Sequence, residues 1–160
     1  MEPVCIANFF LKKAKQEDIP VTQLKLLKLV YIGYGWVAAV LDRQLFDEPI
    51  EAWQHGPVVN SLYHEFKHYG RDPITTLGVS FDLEREQITY PDIPEDEEDI
   101  RFILTFVWDI YKRYSAWALR EKTHEENTPW HQTYYDEGAT VIPYELIKEH
   151  FHDKIMEYLE

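Results

Sequence analysis

The run "LKLLKLVYIGYGWVAAVL", residues 24–41, constrains the fold more than any other part of the chain. Its apolar residues recur every three or four positions along two stripes, so a helix here is apolar on two sides. One stripe contains Leu24, Leu27, Tyr31, Tyr34, Ala38 and Leu41, and the other contains Leu26, Val30, Gly33, Val37 and Val40. Such a helix belongs at the centre of a fold, surrounded by other elements. Gly33 and Gly35 allow a neighbouring helix to approach it closely.

Weaker patterns on both sides predict further helices. We expect them from Pro3 to about Lys15, after the cap Thr22, from Gly56-Pro57 to Gly70, over 94–114, from Ser115 to about Thr123, from Thr128-Pro129, and from Tyr144 to Leu159. Threonine and serine suit helix caps, and proline suits a first helical position. The last helix is expected to bury Leu146, Ile147, Phe151, Ile155 and Leu159.

Few strands are expected in this chain. A short extended segment lies near residues 50–54, and "QITY" forms a weak strand within the irregular stretch 71–94. No repeat or long linker divides the sequence. We therefore expect a mainly α fold (α+β at most), with residues 1–160 forming a single compact multi-helix domain around the central hydrophobic helix.

The charge of the chain is acidic and unevenly distributed. The formal net charge is −13, and residues 1–60 hold six Lys/Arg against seven Asp/Glu while the remaining hundred hold ten against twenty-two. A field of this sign repels phosphate backbones and anionic lipid, so we expect neither nucleic acid nor membrane as a partner. It suits solubility or a basic protein partner. With one cysteine, no signal-peptide pattern and a longest uncharged run of 13 residues, the expected location is cytoplasmic.

The segment "HEFKH" fits the zinc-hydrolase motif H-E-x-x-H, in which two histidines of one helix bind the metal. His64 and His68 are the candidate ligands, and Glu65 is the candidate general base. Zinc also needs a third protein ligand, and the extended motif fails because Arg71 and Ile74 stand where glycine and histidine belong. We expect solvated or partly packed histidines and no metal, and a zinc hydrolase is kept as an alternative.

Other chemistries have less support. Cys5 is expected to be a packed thiol, since nothing in the sequence pairs it with a base. No phosphate-binding glycine motif or G-x-S-x-G elbow occurs, so no cofactor and no catalytic residue is predicted. The acids of "PEDEED" are expected to be solvated in the first turn of a helix, where they complement its dipole.

Several residues have a pattern that core packing alone does not explain. "IEAWQHGPVV" places Trp, His, Gly and Pro in one turn, and "SAWALREKTHEENTPW" joins a Thr-His pair to a Pro-Trp pair. With the apolar helix upstream, these stretches resemble the Panacea antitoxin domain, a family of SocA-like antitoxins and phage-associated GepA-type proteins. The matching positions are Leu24-Lys25-Leu26, Lys28-Leu29, Glu51-Ala52-Trp53, Gly56-Pro57-Val58, Thr123-His124 and Pro129-Trp130. The resemblance covers about residues 4–155 in the right order.

The resemblance implies a non-enzymatic role. Antitoxins of this family neutralise a cognate protein toxin by direct binding, and some antitoxins instead deliver the toxin to a protease. Family members face unrelated toxins, so the resemblance names no particular partner. Some relatives carry a DNA-binding module, which we do not expect in a chain this short and acidic. A second alternative is an acidic phage-encoded inhibitor of a host enzyme that acts by charge mimicry.

The resemblance also selects the candidate site residues. These are Trp53, Gly56, Pro57, Thr123, His124, Pro129 and Trp130, in structural or partner-binding roles. Trp53 and Trp130 are interpreted as core anchors because each lies beside a proline expected to start a helix, although tryptophan also serves as an interface hot spot. His124 is expected to hydrogen-bond nearby backbone and not to perform acid–base chemistry.

Overall fold

The computed structural model describes residues 1–160 and is mainly helical, as predicted. The helices are α1 (Pro3–Glu17), α2 (Gln23–Leu41), α3 (Asn60–Phe66), α4 (Glu98–Tyr111), α5 (Ala116–His124), α6 (Pro129–His131) and α7 (Tyr144–Leu159). A 3-10 turn, Lys67–Tyr69, extends α3, and a π-helical turn, Gln132–Asp136, extends α6. The strands are β1 (Glu51–Trp53), β2 (Gly56–Val58), β3 (Ser80–Asp82) and β4 (Gln87–Thr89).

Helix α2 lies at the centre of the fold, which confirms the interpretation of its sequence. Every residue from Lys25 to Ala38 is buried, and α1, α4, α5 and α7 all pack against it. The Thr22 side chain caps it by accepting a hydrogen bond from the backbone of Lys25 at 3.4 Å. By length and hydropathy α2 alone among the helices is able to cross a membrane, but 78% of its most apolar window is buried inside the protein.

The two glycines of α2 mark its closest contacts with other helices. A Cβ atom at Gly33 would lie 2.7 Å from Cδ2 of Leu104 on α4, and one at Gly35 would lie 2.0 Å from Cδ2 of Phe151 on α7. Real Cβ atoms essentially never approach other atoms this closely. Both helices therefore reach their positions because α2 carries no side chain at these two points.

The strands form two separate antiparallel hairpins. In the first, Ala52 of β1 pairs with Pro57 of β2, and in the second, Phe81 of β3 pairs with Ile88 of β4. The predicted helix start at Gly56-Pro57 is wrong, because these residues form β2 and α3 begins at Asn60. Gly56 has a φ of 114°, which suits a hairpin turn and is incompatible with a helix. The predicted strand in "QITY" is confirmed as β4.

The irregular stretch before α4 is attached to the core by a polar side chain. Asn8 of α1 is fully buried, and its amide donates to the carbonyl oxygens of Gly78 at 3.0 Å and Pro91 at 2.9 Å. Its own oxygen accepts from the backbone N–H of Gly78 at 2.7 Å. These three bonds satisfy the buried amide and hold residues 78 and 91 against α1.

A few predicted core positions are not buried. Leu159 is 72% exposed because it is the last residue of α7, beyond the elements on which that helix packs. Val40 is 52% exposed near the end of α2, and Leu24 is only partly buried near its start. The apolar stripes of α2 therefore extend further along the sequence than the core does along the helix. Cys5 is buried, and burial raises the pKa of its thiol.

Candidate functional site

The predicted site residues lie close together around the β1–β2 hairpin. These residues are far apart in the sequence. They come together because the hairpin contacts α2 on one side and the end of α5 and the start of α6 on the other. The contacts are made by side chains of these helices that lie within hydrogen-bonding distance of carbonyl groups of the hairpin.

Lys28 of α2 lies directly beneath the hairpin. Its side chain is 1% exposed, and its ammonium group donates to the carbonyl oxygen of Pro57 at 3.1 Å. A Cβ atom at Gly56 would lie 2.6 Å from this Nζ atom, so the glycine leaves the space that the ammonium group fills. Burial, and secondarily the charge of Arg120, lowers the pKa of Lys28 to about 7. No carboxylate in the chain forms an ion pair with Lys28.

His124, at the end of α5, lies between two backbone carbonyls. Nδ1 is 2.7 Å from the carbonyl oxygen of Arg120 in the same helix, and Nε2 is 3.2 Å from that of Gln54 in the hairpin turn. A neutral imidazole donates through only one nitrogen, so these carbonyls favour the charged ring. Burial acts more strongly in the opposite direction and lowers the pKa of His124. The geometry makes this residue a link between α5 and the hairpin.

Trp130 supplies the third donor to the hairpin. Its indole Nε1 donates to the carbonyl oxygen of Trp53 at 2.6 Å, and its ring lies 3.9 Å from the ring of His124, centroid to centroid. Trp130 is buried, whereas Trp53 is half-buried and packs edge-on against Tyr63 at 5.0 Å. Trp130 lies beside Pro129, which starts a helix as expected. Pro57 lies in a strand, so the expectation that Trp53 stands beside a helix-starting proline is wrong.

The Thr-His and Pro-Trp pairs are joined by a tight loop. Thr123 is buried and donates to carbonyl oxygens one turn back, Leu119 at 3.1 Å and Arg120 at 3.0 Å. Thr128 accepts from the backbone N–H of His131 at 3.2 Å, which caps α6 at Pro129. These local bonds fix the angle between α5 and α6, and thereby the positions of His124 and Trp130.

The hairpin also forms one wall of a cleft of about 880 Å³. The start of α2, the residues after α3 and the first turns of α5 form its other walls. Its lining is Thr22, Gln23, Leu24, Leu27, Lys28, Trp53, Gln54, His55, Gly56, Val58, Tyr63, Gly70, Arg71, Ala116, Trp117 and Arg120. Most of the surface area that lines the cleft is apolar, and a few polar groups interrupt it. This volume and this kind of lining are typical of ligand-binding sites.

The charge of the cleft is opposite to that of the whole protein. Its 16 lining residues include the bases Lys28, Arg71 and Arg120 and no Asp or Glu, although the chain has a net charge of −13. The guanidinium carbon of Arg120 lies 4.7 Å from the centre of the Trp117 ring, a cation–π contact. The Nε atom of Arg120 is buried and has no hydrogen-bond partner.

The H-E-x-x-H residues do not have the arrangement that the zinc hypothesis needs. His64 lies on α3, but that helix ends at Phe66, so His68 lies on the 3-10 turn that follows. The tighter turn changes the direction in which His68 projects relative to His64. Both histidines are exposed, and Glu65 accepts a hydrogen bond from the backbone of Val79 at 2.9 Å. No group of three or more His, Cys, Asp and Glu side chains in residues 1–160 is placed to hold a metal ion.

Three residues of this region were not among the sequence candidates. In the sequence Lys28 belongs to a helix motif, and no motif contains Trp117 or Arg120 as a matching position. A signal for Lys28 was present, because a lysine on a helix that is apolar on two sides has to be buried or to reach a polar partner. No comparable signal marked Trp117 and Arg120, which stand on a short helix with little apolar character.

Comparison with known proteins gives two matches. The family model described as "Antitoxin SocA-like, Panacea domain" matches residues 26–131. Antitoxin SocA of Caulobacter vibrioides (strain NA1000 / CB15N) is 31% identical over 125 residues, which is 78% of this chain and 66% of that protein. The match therefore spans about two thirds of the length of the relative. No solved structure matches the chain.

Proposed function

Because the chain belongs to the SocA-like, Panacea-domain antitoxin family, we propose that it is an antitoxin that neutralises a cognate protein toxin by binding it directly. The observation that carries this proposal beyond the family match is the assembly of the motif residues. Lys28, His124 and Trp130 all donate to or face carbonyls of one hairpin, and that hairpin borders a cleft. A surface held by such internal hydrogen bonds is well suited to protein recognition, because little conformational freedom has to be lost on binding.

The site geometry favours binding over catalysis. His124 has both ring nitrogens within hydrogen-bonding distance of backbone carbonyls, which leaves neither free to exchange a proton with a substrate. Lys28 lies beneath the hairpin with its ammonium group on the Pro57 carbonyl. The groups with catalytic potential are thus used to hold the backbone, and the exposed groups of the cleft are aromatic or cationic.

The test is co-expression of this chain with the protein encoded by the adjacent gene, which is the expected toxin. Growth lost on expression of that protein alone should return when the two are expressed together, and the two proteins should co-purify. Failure of both neutralisation and binding, for the products of both flanking genes, would contradict the proposal. The half-life of the toxin separates two mechanisms: an unchanged half-life indicates occlusion, and a shortened one indicates delivery to a protease.

A further inference from the structure

The cleft beside the β1–β2 hairpin combines three basic side chains with exposed aromatic surface. Arg120 has one ion pair, with its sequence neighbour Glu121 at 3.3 Å, and its buried Nε is unpartnered. Lys28 donates to one carbonyl and has two further N–H groups on the same ammonium. A buried ammonium group without a carboxylate, as in Lys28, is costly, and a carboxylate placed beside it offsets part of that cost.

The aromatic residues of the cleft complement this charge. Trp117 is 62% exposed on α5 and stacks with Arg120, while Trp53 and Tyr63 line the walls formed by the hairpin and α3. Tryptophan, tyrosine and arginine are the residues that most often dominate binding energy at protein interfaces. An apolar side chain inserted between these walls would bury surface that is now exposed to water.

From these features we propose that the cleft binds a segment of the partner toxin in which a carboxylate lies beside an aromatic or aliphatic side chain. The carboxylate would lie against Arg120 and Lys28, and the apolar side chain would pack between Trp53 and Trp117. The inference rests on the proposed function, since it identifies the chemistry of the toxin segment. Arginine is suited to this role because its guanidinium group bonds a carboxylate through two parallel N–H groups.

The charge of the whole protein distinguishes a peptide from a polyanion. A nucleic acid carries a dense row of phosphates, which the net charge of −13 repels over distances longer than the cleft. A peptide segment carries a single carboxylate on a chain that is otherwise neutral or basic, so the local attraction of the cleft is not opposed in the same way. The acidic surface outside the cleft would in addition attract basic residues elsewhere on the toxin.

The proposal is tested with a displayed library of random seven-residue peptides selected on the purified full-length protein. We expect the selected sequences to combine Asp or Glu with a neighbouring aromatic or aliphatic residue. A synthetic copy of the best peptide should shift the indole N–H signal of Trp117 in an NMR titration. Replacement of its acid by the matching amide should weaken binding roughly tenfold or more.

Two variants and one control connect binding to the cleft. Arg120→Gln removes the guanidinium group, whose Nε holds no structural hydrogen bond, and Lys28→Met replaces the buried cation by an apolar side chain of similar length. Each should weaken peptide binding roughly tenfold. Arg85→Gln makes the same change of charge on the exposed turn of the other hairpin and should leave binding unchanged.

Several outcomes would overturn the proposal. These are the absence of any selected sequence, selection of sequences without an acid, equal binding by Arg120→Gln, or a Trp117 shift with inorganic phosphate and none with peptides.

Neutralisation of the toxin is measured separately. If wild type and Arg120→Gln neutralise the toxin equally, the cleft assignment is wrong while the antitoxin function stands. If wild type does not neutralise the toxin at all, the proposed function itself is wrong.

Discussion

The two hairpins of this protein have strands of equal length and opposite environments. Each consists of two antiparallel three-residue strands. In β1–β2 the central pair, Ala52 and Pro57, is buried, whereas in β3–β4 the central pair, Phe81 and Ile88, is 56% and 61% exposed. An isolated two-stranded hairpin is at best marginally stable in water, so each must be held by something else.

The β1–β2 hairpin is held by donors from distant parts of the chain. Lys28, His124 and Trp130 lie 29, 70 and 77 positions away from the carbonyl groups they reach. The outer edge of the hairpin is also paired, since the N–H of Ala52 donates to the Thr140 carbonyl at 2.7 Å. The hairpin therefore belongs to the same cooperative unit as the core helices.

The β3–β4 hairpin depends mainly on its own turn. The Asp82 carboxylate accepts from the backbone N–H groups of Glu84 at 3.0 Å and Arg85 at 3.2 Å, and Glu86 adopts a φ of 49°. Its base is attached to α1 and α3 through the bonds of Gly78 and Val79 described above. Position in the core, and not strand length, therefore distinguishes the hairpin that borders the cleft from the one that does not.

The largest effect that would separate the two hairpins is expected from Gly56→Ala. A Cβ atom there would lie 2.6 Å from Nζ of Lys28, and a φ of 114° is strained for any residue with a side chain. Lys28 would have to leave the Pro57 carbonyl without another partner nearby. We expect a loss of roughly 2–4 kcal/mol in the free energy of unfolding, measured by urea denaturation.

Gly70→Ala is the matched control for this change. Gly70 also has a positive φ, 58°, but nothing lies within 4 Å of the position of its Cβ atom. Its replacement therefore adds only backbone strain, roughly 1–3 kcal/mol for its φ of 58° and ψ of −117°, without the clash with an ammonium group. Equal losses for the two variants would show that the Lys28 ammonium group can move away from the Pro57 carbonyl without cost.

The parts of the fold that the sequence predicted are those determined by local chemistry. The stripes of α2 and the caps Thr22, Ser115 and Thr128 depend on residues within one or two helical turns. These features were predicted because periodicity and capping report on the helix in which they occur.

The features that were missed depend on distant partners. Gly56-Pro57 has the composition of a helix start, but in the structure it pairs with β1 and lies against the side chain of Lys28. The charge reversal in the cleft could not be predicted either, because its bases come from α2, the segment after α3, and α5. Nothing in the order of these residues indicates that they share a surface without acids.

An intermediate effect is expected from Lys28→Met, which removes the buried charge beneath β1–β2. The folded state lowers the pKa of Lys28 from an ordinary value of 10.5 to about 7, so the unfolded state binds the proton more tightly. The charged lysine thus lowers the free energy of unfolding. This loss is complete below about pH 7 and becomes progressively smaller as the pH rises towards 10.5. The variant should be more stable than wild type by about 2 kcal/mol at pH 6, despite the lost bond to Pro57.

The measurement is urea unfolding of both proteins between pH 6 and pH 9. The difference between them should shrink as the pH rises, because deprotonation progressively relieves the wild-type penalty. Lys15→Met, at an exposed position of α1, is the control and should show no such trend. A stability difference that is independent of pH would mean that Lys28 has the same pKa in the folded and unfolded states.

The smallest effect is expected in the β3–β4 hairpin, from the paired change Phe81→Thr with Ile88→Thr. The two side chains face each other across the strands but remain largely exposed, and threonine keeps the strand preference. Cross-strand pairs of this kind contribute about 0.2–1 kcal/mol, so the free energy of unfolding should fall by roughly 0.5 kcal/mol. A loss above about 2 kcal/mol would place these side chains in a packed environment and remove the contrast between the hairpins.

The same double variant tests where the toxin binds. Because the site proposed for the toxin lies at β1–β2, neutralisation by this variant should equal that of wild type. A loss of neutralisation with an intact fold would move the binding surface to β3–β4.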